Sequence, residues 1–109
     1  MEMVDTNRFD ILLVSFDPSK GYEIKKTRPC VIVSPNEMNK YIKTIIVAPM
    51  TSRIKSYPTR IPVVFESKEG TIALDQIRTI DKSRIIRKLG TLDTKTATLV
   101  LEILGKMFS

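Results

Sequence analysis

Thr27-Arg28-Pro29-Cys30-Val31-Ile32-Val33-Ser34-Pro35 is the stretch that decides the fold: apolar residues run unbroken from Cys30 to Val33, and a proline stands at each side of the run. Short, β-branched runs bounded by turn residues read as strands, so a strand is expected over Pro29–Ser34. Upstream, Phe9–Phe16 has the same character, and the two are expected to pair. The link from Asp17 to Thr27 is polar and basic and exceeds the roughly two to five residues of an ordinary hairpin. A long loop in a small domain is where function is expected.

Downstream, Pro35–Asn39 suits a short helical turn, and Thr44–Met50 reads as a third strand with Pro49 at its end or on an edge. A second polar loop, Thr51–Thr59, precedes a strand near Ile61–Phe65, whose Pro62 again argues for an edge. Ser67–Gly70 turns the chain into Thr71–Leu74, and a further strand is expected near Arg84–Leu89. After Gly90 the period changes: Asp93 is a candidate N-cap, and Ala97, Val100, Leu101, Leu104 and Phe108 recur at helical spacing. Leu99, Ile103 and Met107 widen that arc, which leaves two readings: a helix lying deep on its own sheet, or one that also faces a partner. Six or seven short strands and a closing helix predict a mainly β chain with a C-terminal helix, an α+β arrangement built on a strongly bent sheet or SH3-like barrel.

The 109 residues suffice for one core, so a single domain over 1–109 is expected. No apolar run approaches the roughly 20 residues of a membrane span, and no membrane partner is expected. The acidic start Met-Glu-Met-Val-Asp lacks the features of a secretory signal, so a cytoplasmic protein is expected. Histidine is absent and Cys30 is the one cysteine, which excludes intrachain disulfides, Cys/His zinc sites and any Ser-His or Cys-His nucleophile. Cys30 itself lies in an apolar run and reads as a buried, inert thiol. No cofactor and no metal are expected.

A net charge of +6, with 18 Lys and Arg against 12 Asp and Glu, favours an anionic partner. The cations group in three segments: Lys20, Lys25, Lys26 and Arg28; Arg53, Lys55 and Arg60; and Arg78, Lys82, Arg84, Arg87 and Lys88. If the segments converge, they line a groove. Three polar constellations sit at predicted strand ends. The first is Gly21-Tyr22-Glu23 with Lys26-Thr27-Arg28-Pro29, where Pro29 holds Arg28 extended. The second is Pro49-Met50-Thr51-Ser52. The third is Leu74-Asp75-Gln76-Ile77-Arg78-Thr79-Ile80-Asp81. For each there is a structural alternative: surface charges flanking a hairpin, turn-capping hydroxyls, and an ion pair between Asp75 and Arg78.

Together these fragments resemble the MazF/PemK (Kid-like) toxins over nearly the whole chain, from Phe9 to Phe108. The resemblance rests on Phe9–Pro18, on Thr27-Arg28-Pro29 with Val31–Pro35, on Val47–Ser52, on Ala73–Asp81 and on Leu89–Leu92, all in the family's order. It implies an SH3-like barrel that dimerises and is the toxin of a type II toxin–antitoxin system: an mRNA interferase, a ribosome-independent endoribonuclease that cuts single-stranded RNA at short sequences. The implied partners are single-stranded mRNA as substrate, a second copy of the chain, and a cognate MazE/PemI-like antitoxin with an acidic tail. The implied reaction is metal-free attack of the ribose 2′-hydroxyl on the adjacent phosphate, leaving a 2′,3′-cyclic phosphate and a 5′-hydroxyl.

By that resemblance Arg28 is the catalytic arginine, Thr51 the essential threonine and Ser52 its helper. A guanidinium can hold two phosphate oxygens and counter the charge developing at phosphorus. Glu23 is the preferred general base and Asp75 the competitor. Some relatives carry an arginine two residues before that aspartate and a histidine just before the glutamate; here those positions are Ala73 and Tyr22, which shifts weight to Glu23. Lys20, Lys25, Lys26, Arg53 and Lys55 are expected along the RNA track. Gln76 and Arg78 would read bases or brace the fold. Tyr22 and Tyr57 would stack on bases or pack on their own loops. The alternative with the same fold is a CcdB-like gyrase poison that cuts nothing; a non-catalytic SH3-like binding module is a second, disfavoured by the scarcity of aromatics.

Overall fold

A computed structural model of the chain describes residues 5–16 and 26–109. In order along the chain the elements are β1 (Asp10–Ser15), β2 (Thr27–Ile32), α1 (Asn36–Tyr41), β3 (Thr44–Thr51), β4 (Arg60–Phe65) and β5 (Lys68–Ala73). A 3-10 turn (Leu74–Gln76) leads into β6 (Arg78–Asp81), a second 3-10 turn (Lys82–Arg84) into β7 (Ile85–Thr91), and α2 (Thr94–Met107) closes the chain. The strands form one curled antiparallel sheet, a half-barrel, in the order β4-β5-β3-β2-β1-β7, with β6 also paired to β3.

The curl has a local cause. Strand β1 pairs with β7 through two register shifts, between Ile11 and Leu12 and between Leu13 and Val14. Each shift leaves an extra β7 residue, and such bulges bend and twist a strand pair. The curl buries both faces of the central strands. Ile11, Val31, Ala48 and Met50 face a core shared with Leu92, Ala97 and Val100, whereas Leu12, Val14, Cys30, Ile32 and Val47 face a second core with Ile45 and Ile80. Two-sided burial explains why β1 to β3 read as continuous apolar runs rather than alternating ones.

Strand β3 changes partner midway: Thr44–Val47 pair with β6, and Met50 and Thr51 pair with β5. Ala48 and Pro49 fall between those ladders, so the missing N–H of Pro49 breaks no bond on that side although β3 is central. Pro62 sits on β4, the edge of the sheet, as its residue type requires. The β4–β5 hairpin ends with Phe65 opposite Lys68, leaving Glu66 and Ser67 as a two-residue loop with φ of 52° and 65°. Two successive positive φ values give the primed turn that matches strand twist, but Gly or Asn would adopt it with less strain.

Asp93 caps α2 through its carboxylate, which accepts the Thr96 N–H at 3.1 Å. Ala97 and Val100 bury the helix against its own sheet, while Leu99, Leu101 and Phe108 stay exposed, so the apolar arc is split between two faces. Among the described residues no helix is long and apolar enough to cross a membrane.

Candidate active site

The site is built on the ends of two neighbouring strands. Strands β2 and β3 pair as Cys30↔Pro49, Val31↔Ala48 and Ile32↔Val47. Carried two residues further, that register sets Arg28 opposite Thr51. Both side chains line one cleft of about 360 Å³, together with Ser52. Arg28 therefore lies inside β2 and Thr51 inside β3, rather than on the loops beyond them. The Arg28 side chain forms no hydrogen bond or ion pair with a described residue, so its donors are free for a ligand.

Thr51 is oriented by its own loop. Its Oγ1 accepts the Arg53 N–H at 3.2 Å, which leaves the hydroxyl hydrogen to donate into the cleft. The Arg53 carbonyl in turn accepts the hydroxyl of Thr71, a buried β5 residue, at 2.9 Å. Gly70 closes the arrangement: a Cβ there would lie 2.4 Å from the Thr51 carbonyl oxygen, so β5 approaches β3 more closely than any side chain allows.

A second cleft of about 640 Å³ lies on the other side of Arg28 and is lined by Phe16, Lys26, Pro49, Gln76 and Arg78. The Arg78 guanidinium stands 4.8 Å from the Phe16 ring centroid. Two of the three basic segments thus converge at Lys26, Arg28 and Arg78. Arg53 and Lys55 are exposed on the loop after Thr51 but line neither cleft.

Asp75 has a different partner from the one its sequence neighbourhood suggests. Arg60 grips it through Nε at 2.7 Å and Nη2 at 3.1 Å, Thr59 donates a third bond at 3.0 Å, and Arg60 also covers the Tyr57 ring at 5.4 Å. The hydrogen bonds from Arg60 hold the Asp75 carboxyl down to about 2. Asp75 lines neither cleft beside Arg28. Tyr57 packs against Arg60, the first residue of β4. Cys30 is fully buried, and loss of solvation pushes its thiol up to about 12.

Lys20, Tyr22, Glu23 and Lys25 lie outside the described residues. Sequence reasoning missed Phe16, Glu66, Glu69 and Gly70, which line or shape the two clefts. The only signal was their place at strand ends and in a turn, and nothing local said which strand end the turn would face.

Comparison with known proteins places this architecture. A family model described as PemK-like, MazF-like toxin of type II toxin-antitoxin system matches residues 7–108. The chain is 38% identical over 94 residues to the endoribonuclease MazF of Staphylococcus saprophyticus, covering 81% of this chain and 78% of that protein. Among solved structures, a MazE-MazF crystal structure from Deinococcus radiodurans superposes with a TM-score of 0.80 at 24% identity, covering 94% of this chain and 95% of that one. A mycobacterial endoribonuclease in complex with its cognate antitoxin gives a TM-score of 0.79 at 20% identity, with 95% of each chain covered. The match to a model spanning nearly every described residue, with the identity to a named relative, makes this chain a member of the PemK-like, MazF-like toxin family of type II toxin-antitoxin systems.

Proposed function

We propose that the chain is an endoribonuclease that cuts single-stranded RNA in the cleft shared by Arg28 and Thr51. The observation that carries this reading is their common cleft, with a free guanidinium on one strand and an undonated hydroxyl on the next. Arg28 holds the non-bridging oxygens of the scissile phosphate and counters the charge that builds there. Thr51 donates to the same phosphate and Ser52 assists. The ribose 2′-oxygen gives its proton to a base and bonds to phosphorus. The bond from phosphorus to the 5′-oxygen then breaks, that oxygen takes up a proton, and a 2′,3′-cyclic phosphate and a 5′-hydroxyl remain.

Glu23 is the base in this scheme. Asp75 is a poor one, because a carboxyl held down to about 2 has little tendency to take a proton near neutrality. Lys26, Gln76 and Arg78 line the track on the far side of Arg28, and Arg53 and Lys55 extend it. The substrate class is supported by the related protein named an endoribonuclease, and so is the preference over a gyrase poison. A cognate antitoxin is supported by the family description and by the related complexes. We assign residues 1–109 to one toxin domain working in the cytoplasm. The exposed Leu99 and Leu101 on α2, with Phe108 just beyond its end, support a homodimer.

The test is to incubate the purified protein with mixed single-stranded RNA in EDTA and map the ends. Discrete cuts with 5′-hydroxyl ends, reduced about 100-fold or more by Arg28→Ala and by Thr51→Ala, are expected. Intact RNA from a folded wild-type protein refutes the assignment.

A further inference from the structure

The two clefts that meet at Arg28 differ in chemistry. Among the described residues, the one holding Lys26 and Arg78 is lined by cations and carries no carboxylate. The one holding Thr51 is apolar along Pro29, Met50, Val63 and Phe65, and carries Glu66, Lys68 and Glu69 from the β4–β5 hairpin. Neither glutamate forms an ion pair or hydrogen bond with a described residue, so both carboxylates keep their acceptor capacity. Glu66 also occupies a left-handed backbone position, φ 52°, where a smaller residue would be less strained.

Resting on the nuclease reading above, we propose that these clefts sort the substrate: phosphates follow the cationic cleft, and a base carrying an exocyclic amino group enters the hairpin cleft against Glu66 and Glu69. The reasoning is electrostatic and geometric. Glu66 and Glu69 outnumber Lys68 on the hairpin, so a phosphate is drawn instead toward Lys26 and Arg78, with Arg28, which lines both clefts, holding the scissile group where they meet. An uncharged base turned inward from that backbone meets apolar side chains that suit its faces and carboxylates that accept N–H bonds from its edge. Guanine, adenine and cytosine all offer an amino group, and guanine adds a second N–H beside it. Uracil offers one N–H between two carbonyls, which the carboxylates repel. Glu66 and Glu69 are therefore specificity residues for the nucleotide next to the cut.

The test compares wild-type protein with Glu66→Gln and Glu69→Gln on short RNAs that differ at the two nucleotides flanking the cleaved bond. Glutamine keeps the shape but replaces one acceptor by a donor. Wild type is expected to favour an amino-bearing base over uracil at one flanking position. In at least one variant the ratio of kcat/KM between those substrates falls about tenfold, with the melting temperature unchanged. Preference for uracil at both positions, or a ratio that neither variant moves, overturns the inference while leaving the nuclease reading intact. A wild-type protein that cuts none of the RNAs overturns both.

Discussion

Replacing Gly70 by alanine would set a methyl carbon 2.4 Å from the carbonyl oxygen of Thr51 and 3.3 Å from its carbonyl carbon. Ordinary contact begins at 3.4 Å, so β5 and the end of β3 must part by about 1 Å. The obstacle is backbone and cannot rotate aside. The strain falls on the pairs Met50↔Ile72 and Thr51↔Thr71 and on the Thr71 to Arg53 bond that shapes the loop after Thr51. Overpacking of this kind costs about 1–3 kcal/mol of stability. Its effect on the reaction is larger, because an error of about 1 Å in a group facing the reacting phosphate can cost ~100-fold in rate. Gly70→Ala is therefore expected to lower kcat by about that factor, measured by single-turnover RNA cleavage well below its melting temperature. Full kcat in Gly70→Ala refutes the argument that this close approach positions Thr51.

Asp75→Asn should keep the acid limb of the kcat/KM profile against pH, because Asp75 is not the base in this scheme; loss of that limb would return Asp75 to the chemistry. Its folded carboxyl is held down to about 2 from 3.8, so its contribution is full above 3.8 and is lost as pH falls through about 2. Asp75 is about a third exposed beside a nearly buried Arg60, so urea unfolding should find wild type modestly more stable than the variant at pH 7 and the two converging near pH 2. Asp10→Ala should cost more, about 2–4 kcal/mol in the same assay. The buried Asp10 carboxylate accepts from the Asn7 N–H at 3.1 Å and Thr91 Oγ1 at 3.2 Å and meets Lys88 Nζ at 3.3 Å, and truncation strands those donors.

Most of the fold was legible because its strands announce themselves by composition. Thr44–Met50 and Ile61–Phe65 each fall within a residue of β3 and β4, and the Asp93 cap was found where helical spacing began. Strand β6 was not legible: in Arg78-Thr79-Ile80-Asp81 only Ile80 is buried, and its pairing comes from β3. The Arg28 and Thr51 neighbourhood was legible from the resemblance, whereas the partner of Asp75 was not. Sequence distance suggested Arg78, but Ala73 pairs with Arg60 across the β4–β5 ladder, and that places Arg60 beside the 3-10 turn bearing Asp75. Glu66 and Glu69 stayed hidden because the curl of the sheet decides which strand end a hairpin overlooks.

The two residues proposed to engage the phosphate are mounted on adjacent strands, two positions beyond the last pair of their shared register and each held by its strand's other neighbour, Arg28 by Val14 and Thr51 by Thr71. Their spacing is thus a property of the folded frame and needs no hinge, loop closure or incoming ligand to create it. An instrument assembled in advance has no resting posture to fall back on. Restraint of such a protein then comes most directly from outside, by something that blocks the opening.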